Sequence, residues 1–290
     1  MKSCLYFIAV LILFTACRKE KPSVYPVSEW TNLLDTNLSQ WEKFIGVPHY
    51  SVNVDGYPKG DGMNGTPLGL NNDPLNVYKV EIQDGVPVLH ISGEIYGGLT
   101  TRQEYENYHL KLEFKWGDRK YEPRLNAKRD NGILYHAYGA HGAFWNVWML
   151  SQEFQVQETD MGDYFALGPE ADIHADYRTE DNELEWIYDP VAAIQSFGGT
   201  ASAGRCRRAF NNEQPHGEWN TLELICVNDK SIHIVNGKVV MRLENGRVLQ
   251  PGNIPVALTK GKIQIQSEGA EAYYRNMLLR PISEIPIDYK

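Results

Sequence analysis

The chain lacks most of the signatures that tie a sequence to a cofactor. No GxSxG, no P-loop and no dinucleotide-binding glycine fingerprint occurs in it, which sets aside serine-hydrolase, nucleotide and dinucleotide chemistry. HxH, HExxH and paired-cysteine metal motifs are missing as well. Basic clusters are absent and the formal net charge is -9, so nucleic acid is not an expected partner. No internal repeat, low-complexity run or Pro/Gly/Ser-rich linker follows residue 30, which excludes a propeller and favours one domain over two. Long amphipathic helical patterns with caps are also missing. Cysteine is scarce, at four residues, of which Cys4 falls in the leader and Cys17 directly after it; Cys206 and Cys226 either bridge or remain buried free thiols.

The only strong apolar run, Leu5 to Phe14, is too short for the roughly 20 residues a bilayer requires. With Lys2 before it and small residues after it, it reads as an export signal over residues 1–16. Phe14-Thr15-Ala16-Cys17 resembles a bacterial lipobox, in which the cysteine becomes the lipidated first residue. The expectation is a protein of the bacterial cell envelope, tethered to a membrane through Cys17, with residues 17–27 as a linker and 28–290 as the folded domain. The absence of an acidic cluster after Cys17, in "RKEKPS", favours the periplasmic face, an outer-membrane anchor being the other setting. Loss of Lys2 with the signal takes the charge from -9 to -10.

What is present is alternation. "LKLEFKW" sets Leu110, Leu112, Phe114 and Trp116 against Lys111, Glu113 and Lys115, and "KIQIQSEG" sets Ile263 and Ile265 against Gln264, Gln266 and Glu268. Asn236-Gly237 between two apolar runs signals a type I′ hairpin. Further strands are expected at 88–92, 132–138, 154–158, 221–227 and 272–279, with a short helical turn at 190–196. Many antiparallel strands and few helices predict an all-β, two-sheet antiparallel jelly-roll sandwich.

Candidate chemistry concentrates in "SQEFQVQETDMGDYF". A bulge after Gln155 would bring Glu153, Gln155 and Glu158 onto one face. That spacing resembles the ExDxxE strand of concanavalin-like β-glucanases, with Gln155 at the position of the middle Asp. "DNGILYHAYG" adds His136 as a general acid or base and Asn131 as a hydroxyl or oxyanion contact; parity puts Gly132, Leu134 and His136 on one face and Ile133 and Tyr135 on the other. "GGLTTRQEYENY" offers Arg102 and Glu104, as a clamp on sugar hydroxyls or as a mutual surface pair. Of the tryptophans Trp145, Trp148, Trp186 and Trp219, one of Trp145 and Trp148 is expected to stack on a sugar ring. No cofactor is expected; Asp172, His174 and Asp176 in "PEADIHADY" leave a divalent cation open as a loop cluster.

Six segments, "GLTTRQEYENYHLKLEFKW", "NGILYHAYG", "EFQVQETDMGDYF", "HGEWNTLEL", "HIVNGKVV" and "GKIQIQSEGAEAYYRNMLLRPI", together resemble, in order and spacing, the bacterial 3-keto-disaccharide hydrolase domain over roughly residues 28–281. The resemblance implies a concanavalin A-like fold and a glycoside or oligosaccharide substrate oxidised at carbon 3. Glu104, Asn131, Glu153, Gln155, Glu268 and Arg275 stand at positions matching its motifs, while the family often has Asp where this chain has Glu158. The implied chemistry removes the acidified proton at carbon 2, expels the carbon-1 substituent and adds water. Glu153 or His136 is then the expected base, Glu158 the acid, and Gln155, Arg102 and Asn131 the hydroxyl contacts. The segments 117–130 and 172–197 are expected to shape the pocket. An ordinary β-glycan hydrolase and a non-catalytic lectin-like module are the alternatives.

Overall fold

A computed structural model describes residues 29–180, 182–201 and 203–290; the expected export signal, lipidated Cys17 and linker lie outside the described residues. Two antiparallel sheets face each other in the expected jelly-roll sandwich. The nine-stranded sheet runs Arg205–Cys206, Tyr164–Leu167, Leu150–Gln155, Gly132–Tyr138, Lys260–Ser267, Gly97–Thr101, Trp41–Ile45 and Gly69–Leu70, with Tyr105–Glu106 added on Lys260–Ser267. The twelve-stranded sheet is centred on Tyr108–Lys120, flanked by Asn220–Val227 and Ala270–Pro281, and ends at the hairpin Glu170–Glu180 with Glu183–Tyr188.

Alternation decides which residues fill the gap. Leu110, Leu112, Phe114 and Trp116 turn inward with Leu222, Leu224 and Tyr274, and meet Leu99, Ile133, Phe154, Val156, Ile263 and Ile265 from the opposite sheet. Phe114, Phe154 and Ile265 are fully buried, each contributing roughly 2 to 3 kcal/mol through removal of apolar surface from water. A second cluster around Tyr164, Ile173, Phe197 and Cys206 fills the far end. Cys206 and Cys226 belong to different clusters and are free thiols, and burial pushes the Cys226 thiol up to about 12.

Two local expectations need correction. Residues 190–192 turn, but Ile194–Gly198 is a strand paired to Glu170–Glu180, because Phe197 buries there instead of completing a helical turn. Asp172, His174 and Asp176 lie on a strand, not a loop. Asp172 accepts from Arg247 (2.8 Å), Asn245 (2.7 Å) and Ser196 (2.7 Å), and His174 Nδ1 donates to the Ala192 carbonyl (2.7 Å).

Parity fails at His136 for a specific reason. Leu134 pairs with Gln264 and Ala137 with Lys262, so Tyr135 and His136 together oppose Ile263 in a bulge, with His136 at φ 50°. Opposite it sits Gly261, where a Cβ would fall 2.4 Å from the His136 carbonyl carbon. The bulge turns the imidazole into the core, edge-on to Tyr108 (centroids 6.0 Å apart).

The hairpin expected at Asn236-Gly237 joins Lys230–Val235 to Lys238–Gln250, with φ of 49° and 75° at the two turn residues. Asn236 also reaches out of its turn, donating to the Asn212 carbonyl (2.7 Å) and Asn220 Oδ1 (2.9 Å) and accepting from the Thr221 amide (2.8 Å). Asn236→Ala should therefore lower the unfolding free energy by about 2 kcal/mol in urea titration, since several half-buried hydrogen bonds and a tolerated positive φ are lost together. A loss under about 0.5 kcal/mol would contradict that account.

Candidate functional site

The outer face of the nine-stranded sheet holds a cavity of about 430 Å³. Glu153, Gln155 and Gln157 line it from one strand and its extension, and Gln266 and Glu268 from another. Arg124 and Asp130 enter from the loop before Gly132–Tyr138, and Phe144, Trp145, Trp148 and Phe165 form an aromatic wall. Tyr96, Leu134, Val147, Trp148 and Leu167 pack into a separate apolar cluster on this face, so the wet side expected of such a strand is in fact covered.

Glycine at 132 makes the arrangement possible. It pairs with Gln155, and a Cβ there would lie 2.0 Å from Glu153 Oε1 and 2.4 Å from Gln266 Oε1. Two long polar side chains therefore cross the strand where a side chain would otherwise stand.

The carboxyls of the cavity are not equivalent. Asp130 is ion-paired with Arg124 and accepts from Gln157 Nε2 (2.6 Å). Burial raises it, the guanidinium and Gln157 draw it back down, and the result is about 6. Glu268 pairs with the other arm of Arg124 (3.2 Å) and is held well above the usual carboxylate range by burial, with Asp130 adding repulsion. Among the described residues no side chain hydrogen-bonds Glu153, and burial with the nearby Asp130 charge pushes it well up too. Near neutral pH the arrangement gives an ionised Asp130 against Arg124 and a proton-bearing Glu153. Two amide oxygens, Gln155 Oε1 and Gln266 Oε1, are buried without a partner and are available to hydroxyl donors.

Of the residues singled out in the sequence, Glu153, Gln155, Glu268 and Trp148 meet here. Trp148 is buried, donating to the Gly97 carbonyl (3.0 Å) and stacked on Tyr96, whereas Trp145 is exposed at the mouth and stacked on Phe144 (4.9 Å). Glu158 is elsewhere. Val156 and Glu158 go on pairing with Asn131 and Arg129, so no bulge follows Gln155; Gln157 takes the cavity face, and Glu158 turns away to bond Arg129 (3.0 Å). Asn131 points inward, donating to the Gln266 carbonyl (2.6 Å) and accepting from Tyr274. His136 lies in the core, where burial lowers it to about 4. Arg102 is bonded to Glu42 (2.9 Å) over a separate shallow groove, Glu104 is exposed near Lys260, and Arg275 lies on the twelve-stranded sheet, stacked on Trp219 and bonded to Glu113.

Arg124, Asp130, Gln157 and Gln266 were not among the site residues expected from the sequence. The first two stand in the segment 117–130, ahead of the apolar run that marks the strand; Gln157 and Gln266 carried a signal, being in phase with Gln155 and Glu268. The segment 172–197 does not line the cavity. The acidic end of the segment 151–165 is structural. Asp163 receives Arg205 (2.7 Å) and Arg208 (3.0 Å), Asp160 receives Lys128 (2.7 Å), and Gln155 exchanges backbone bonds with the 162–163 turn.

Residues 29–280 match the model of the 3-keto-alpha-glucoside-1,2-lyase-like domain. Two proteins of Parabacteroides distasonis, both provisionally assigned as glycosyl hydrolases, are similar in structure. The first is 18% identical, with a TM-score of 0.45 over 88% of this chain and 100% of its own. The second is 16% identical, with a TM-score of 0.46 over 87% and 94%. A β-glucanase of Bacillus licheniformis is 11% identical, with a TM-score of 0.41 over 88% and 98%. No curated protein matches the chain.

Burial of Glu153 also has a stability signature. A carboxyl raised in the folded state keeps its proton where the unfolded chain has lost it, so its contribution is complete below the unfolded value near 4.5 and fades as pH rises toward the folded one. Glu153→Gln should therefore melt progressively higher than the parent as pH is raised from 4 to 8, with the two converging at the acid end. A constant difference across that range would show that Glu153 is ionised in the folded protein.

Proposed function

The chain belongs to the 3-keto-α-glucoside-1,2-lyase-like domain family, and on that premise we propose that it cleaves glycosides oxidised at carbon 3 by elimination followed by hydration. The observation that carries the reading is the placement, in one cavity, of Asp130, held by Arg124 and Gln157, and Glu153, buried with no bonded side chain. A ketone at carbon 3 acidifies the hydrogen at carbon 2. Asp130, kept ionised by Arg124 and Gln157, takes that proton, and the C2–H electron pair passes into the enolate. Collapse of the enolate forms the C1–C2 double bond and breaks the bond from carbon 1 to its substituent. Glu153 supplies the proton that the departing oxygen needs. Addition of water across the double bond regenerates the sugar, so the overall change is hydrolysis.

Gln155 and Gln266 serve as hydroxyl contacts through their unpartnered amide oxygens, and Trp145 and Trp148 wall the ring. Glu268, sharing Arg124 with Asp130, limits how far the guanidinium can follow either partner. The acid role thus moves from Glu158 to Glu153, and the base role from Glu153 or His136 to Asp130, because Glu153 and Asp130 share the cavity. The same proposal keeps the protein in the cell envelope, tethered through Cys17.

Incubation with a glucoside and with its 3-keto derivative, following release of the carbon-1 substituent, should show release from the ketone alone. Asp130→Asn and Glu153→Gln should each lower kcat/KM by roughly a thousandfold, in the range of lost acid–base catalysis. The parent's kcat/KM should climb with pH through about 6 as Asp130 ionises, and the residual rate of Asp130→Asn should lack that limb. Comparable release from the unoxidised glucoside, or full activity in Glu153→Gln, would overturn the reading.

A further inference from the structure

Removal of the carbon-2 proton puts negative charge on the carbon-3 oxygen, and a buried site holds that charge only where a hydrogen-bond donor meets it. Asp130 stands between Gln157, whose Nε2 donates to its Oδ2 (2.6 Å), and Glu268, its antiparallel bridge partner from the neighbouring strand. Bridge partners hold their Cβ atoms about 5 Å apart. Arg124 ties the two carboxyls together, Nη2 on Asp130 Oδ2 and Nη1 on Glu268 Oε1 (3.2 Å). Each carboxyl is thus fixed through one oxygen. The other oxygen, Oδ1 of Asp130 and Oε2 of Glu268, takes no side-chain bond among the described residues.

Glu268 is 7% exposed and lines the cavity. One guanidinium compensates one buried carboxylate, and Asp130 has Gln157 as a further donor where Glu268 has none. The proton therefore stays on Glu268, in keeping with the upward push that burial and the Asp130 charge give its carboxyl. With Oε1 accepting from Arg124, that proton sits on Oε2 and has no acceptor among the described residues. The unpartnered atoms of Gln155 and Gln266 are amide oxygens, which accept and cannot donate.

We propose that Glu268 is a further catalytic residue, its Oε2–H donating a hydrogen bond to the carbon-3 oxygen while Asp130 Oδ1 removes the proton from carbon 2. The inference rests on the cavity reading above and adds the group that stabilises the enolate. Carbons 2 and 3 are bonded neighbours, so base and donor must be neighbours as well, as two bridge partners on one guanidinium are. The C2–H electron pair becomes the π bond between carbons 2 and 3, the carbonyl π pair moves onto oxygen, and Glu268 keeps its proton throughout.

Deuterium uptake at carbon 2 reads enolisation without cleavage. In the Glu153→Gln background, methyl 3-keto-glucoside in D2O should exchange at carbon 2, followed by proton NMR. Adding Glu268→Met, which fills a similar volume and has no donor, should slow that exchange by about 100-fold or more, the size of one lost oxyanion contact. Glu268→Asp, which keeps the acid and withdraws it by one CH2, should slow exchange as well, and stands in for the methionine variant where that chain does not fold. Glu268→Gln, able to accept from Arg124 through Oε1 and donate through Nε2, should stay within about tenfold. The C=O stretch of the bound sugar, labelled with carbon-13 at position 3, should rise in frequency in Glu268→Met or Glu268→Asp and hold in Glu268→Gln. No exchange in the Glu153→Gln background itself would overturn the enolate reading and this role with it. Exchange that proceeds there and survives Glu268→Met or Glu268→Asp, a C=O stretch that does not move in them, or Glu268→Gln as slow as Glu268→Met would overturn the role of Glu268 alone.

Discussion

Carboxyl groups buried side by side on one sheet face are the constraint around which the rest of the molecule is arranged. Burying Glu153, Glu268 and Asp130 together is unfavourable unless charge is withheld or compensated, and the protein does both. Arg124 spans Asp130 and Glu268, Gln157 donates to Asp130, and Glu153 is left without a donor and retains its proton. Phe144, Trp145 and Trp148 wall the cavity; in full contact with water, the three carboxyls would relax toward similar acidities and their difference in role would fade.

A second ionic network holds the first in place. The strand bearing Glu153 and Gln155 ends in the turn of Asp160 and Asp163, and these bind Lys128, Arg205 and Arg208. That network is closed on itself by complementary charge, which explains why so acidic a segment contributes only its Glu and Gln residues to the cavity. Arg205 belongs to both worlds: its guanidinium is fixed by Asp163 while its side chain borders the cavity.

Alternation made the sandwich legible. Inward residues such as Leu112, Phe114 and Ile265 repeat every second position, and Asn236-Gly237 marks its hairpin, because both signals arise from local geometry. Glu153, Gln155 and Glu268 were legible by the same phase together with the family motifs. Alternation states whether a side chain faces the core; it does not state which of two outer faces it reaches. Arg275 was thus grouped with residues on the far side of the molecule, and Arg102 and Glu104 with a cavity they do not line. His136 escaped because a bulge resets the phase, and a bulge is specified by its partner strand, where Gly261 stands, more than by its own sequence. Arg124 escaped because a loop has no phase to read, and Asp130, though bridged to Glu268 and in phase with Gly132 and Leu134, because it precedes the apolar run that marks the strand.

The origin of Arg124 and Asp130 has an architectural consequence. Neutral hydroxyl-binding groups and the proton-bearing Glu153 come from the sheet, whose side chains are locked by register on both sides. Charge comes from the connection 121–131, which joins Tyr108–Lys120 to Gly132–Tyr138 and leaves both sheets intact. Scaffold and electrostatics are therefore separable modules on one chain. Exchange of the connection for one of different length or charge would retune the acidity at which the cavity operates while leaving the ring-binding wall unchanged, so divergence among such domains can proceed by loop replacement without redesign of the sandwich.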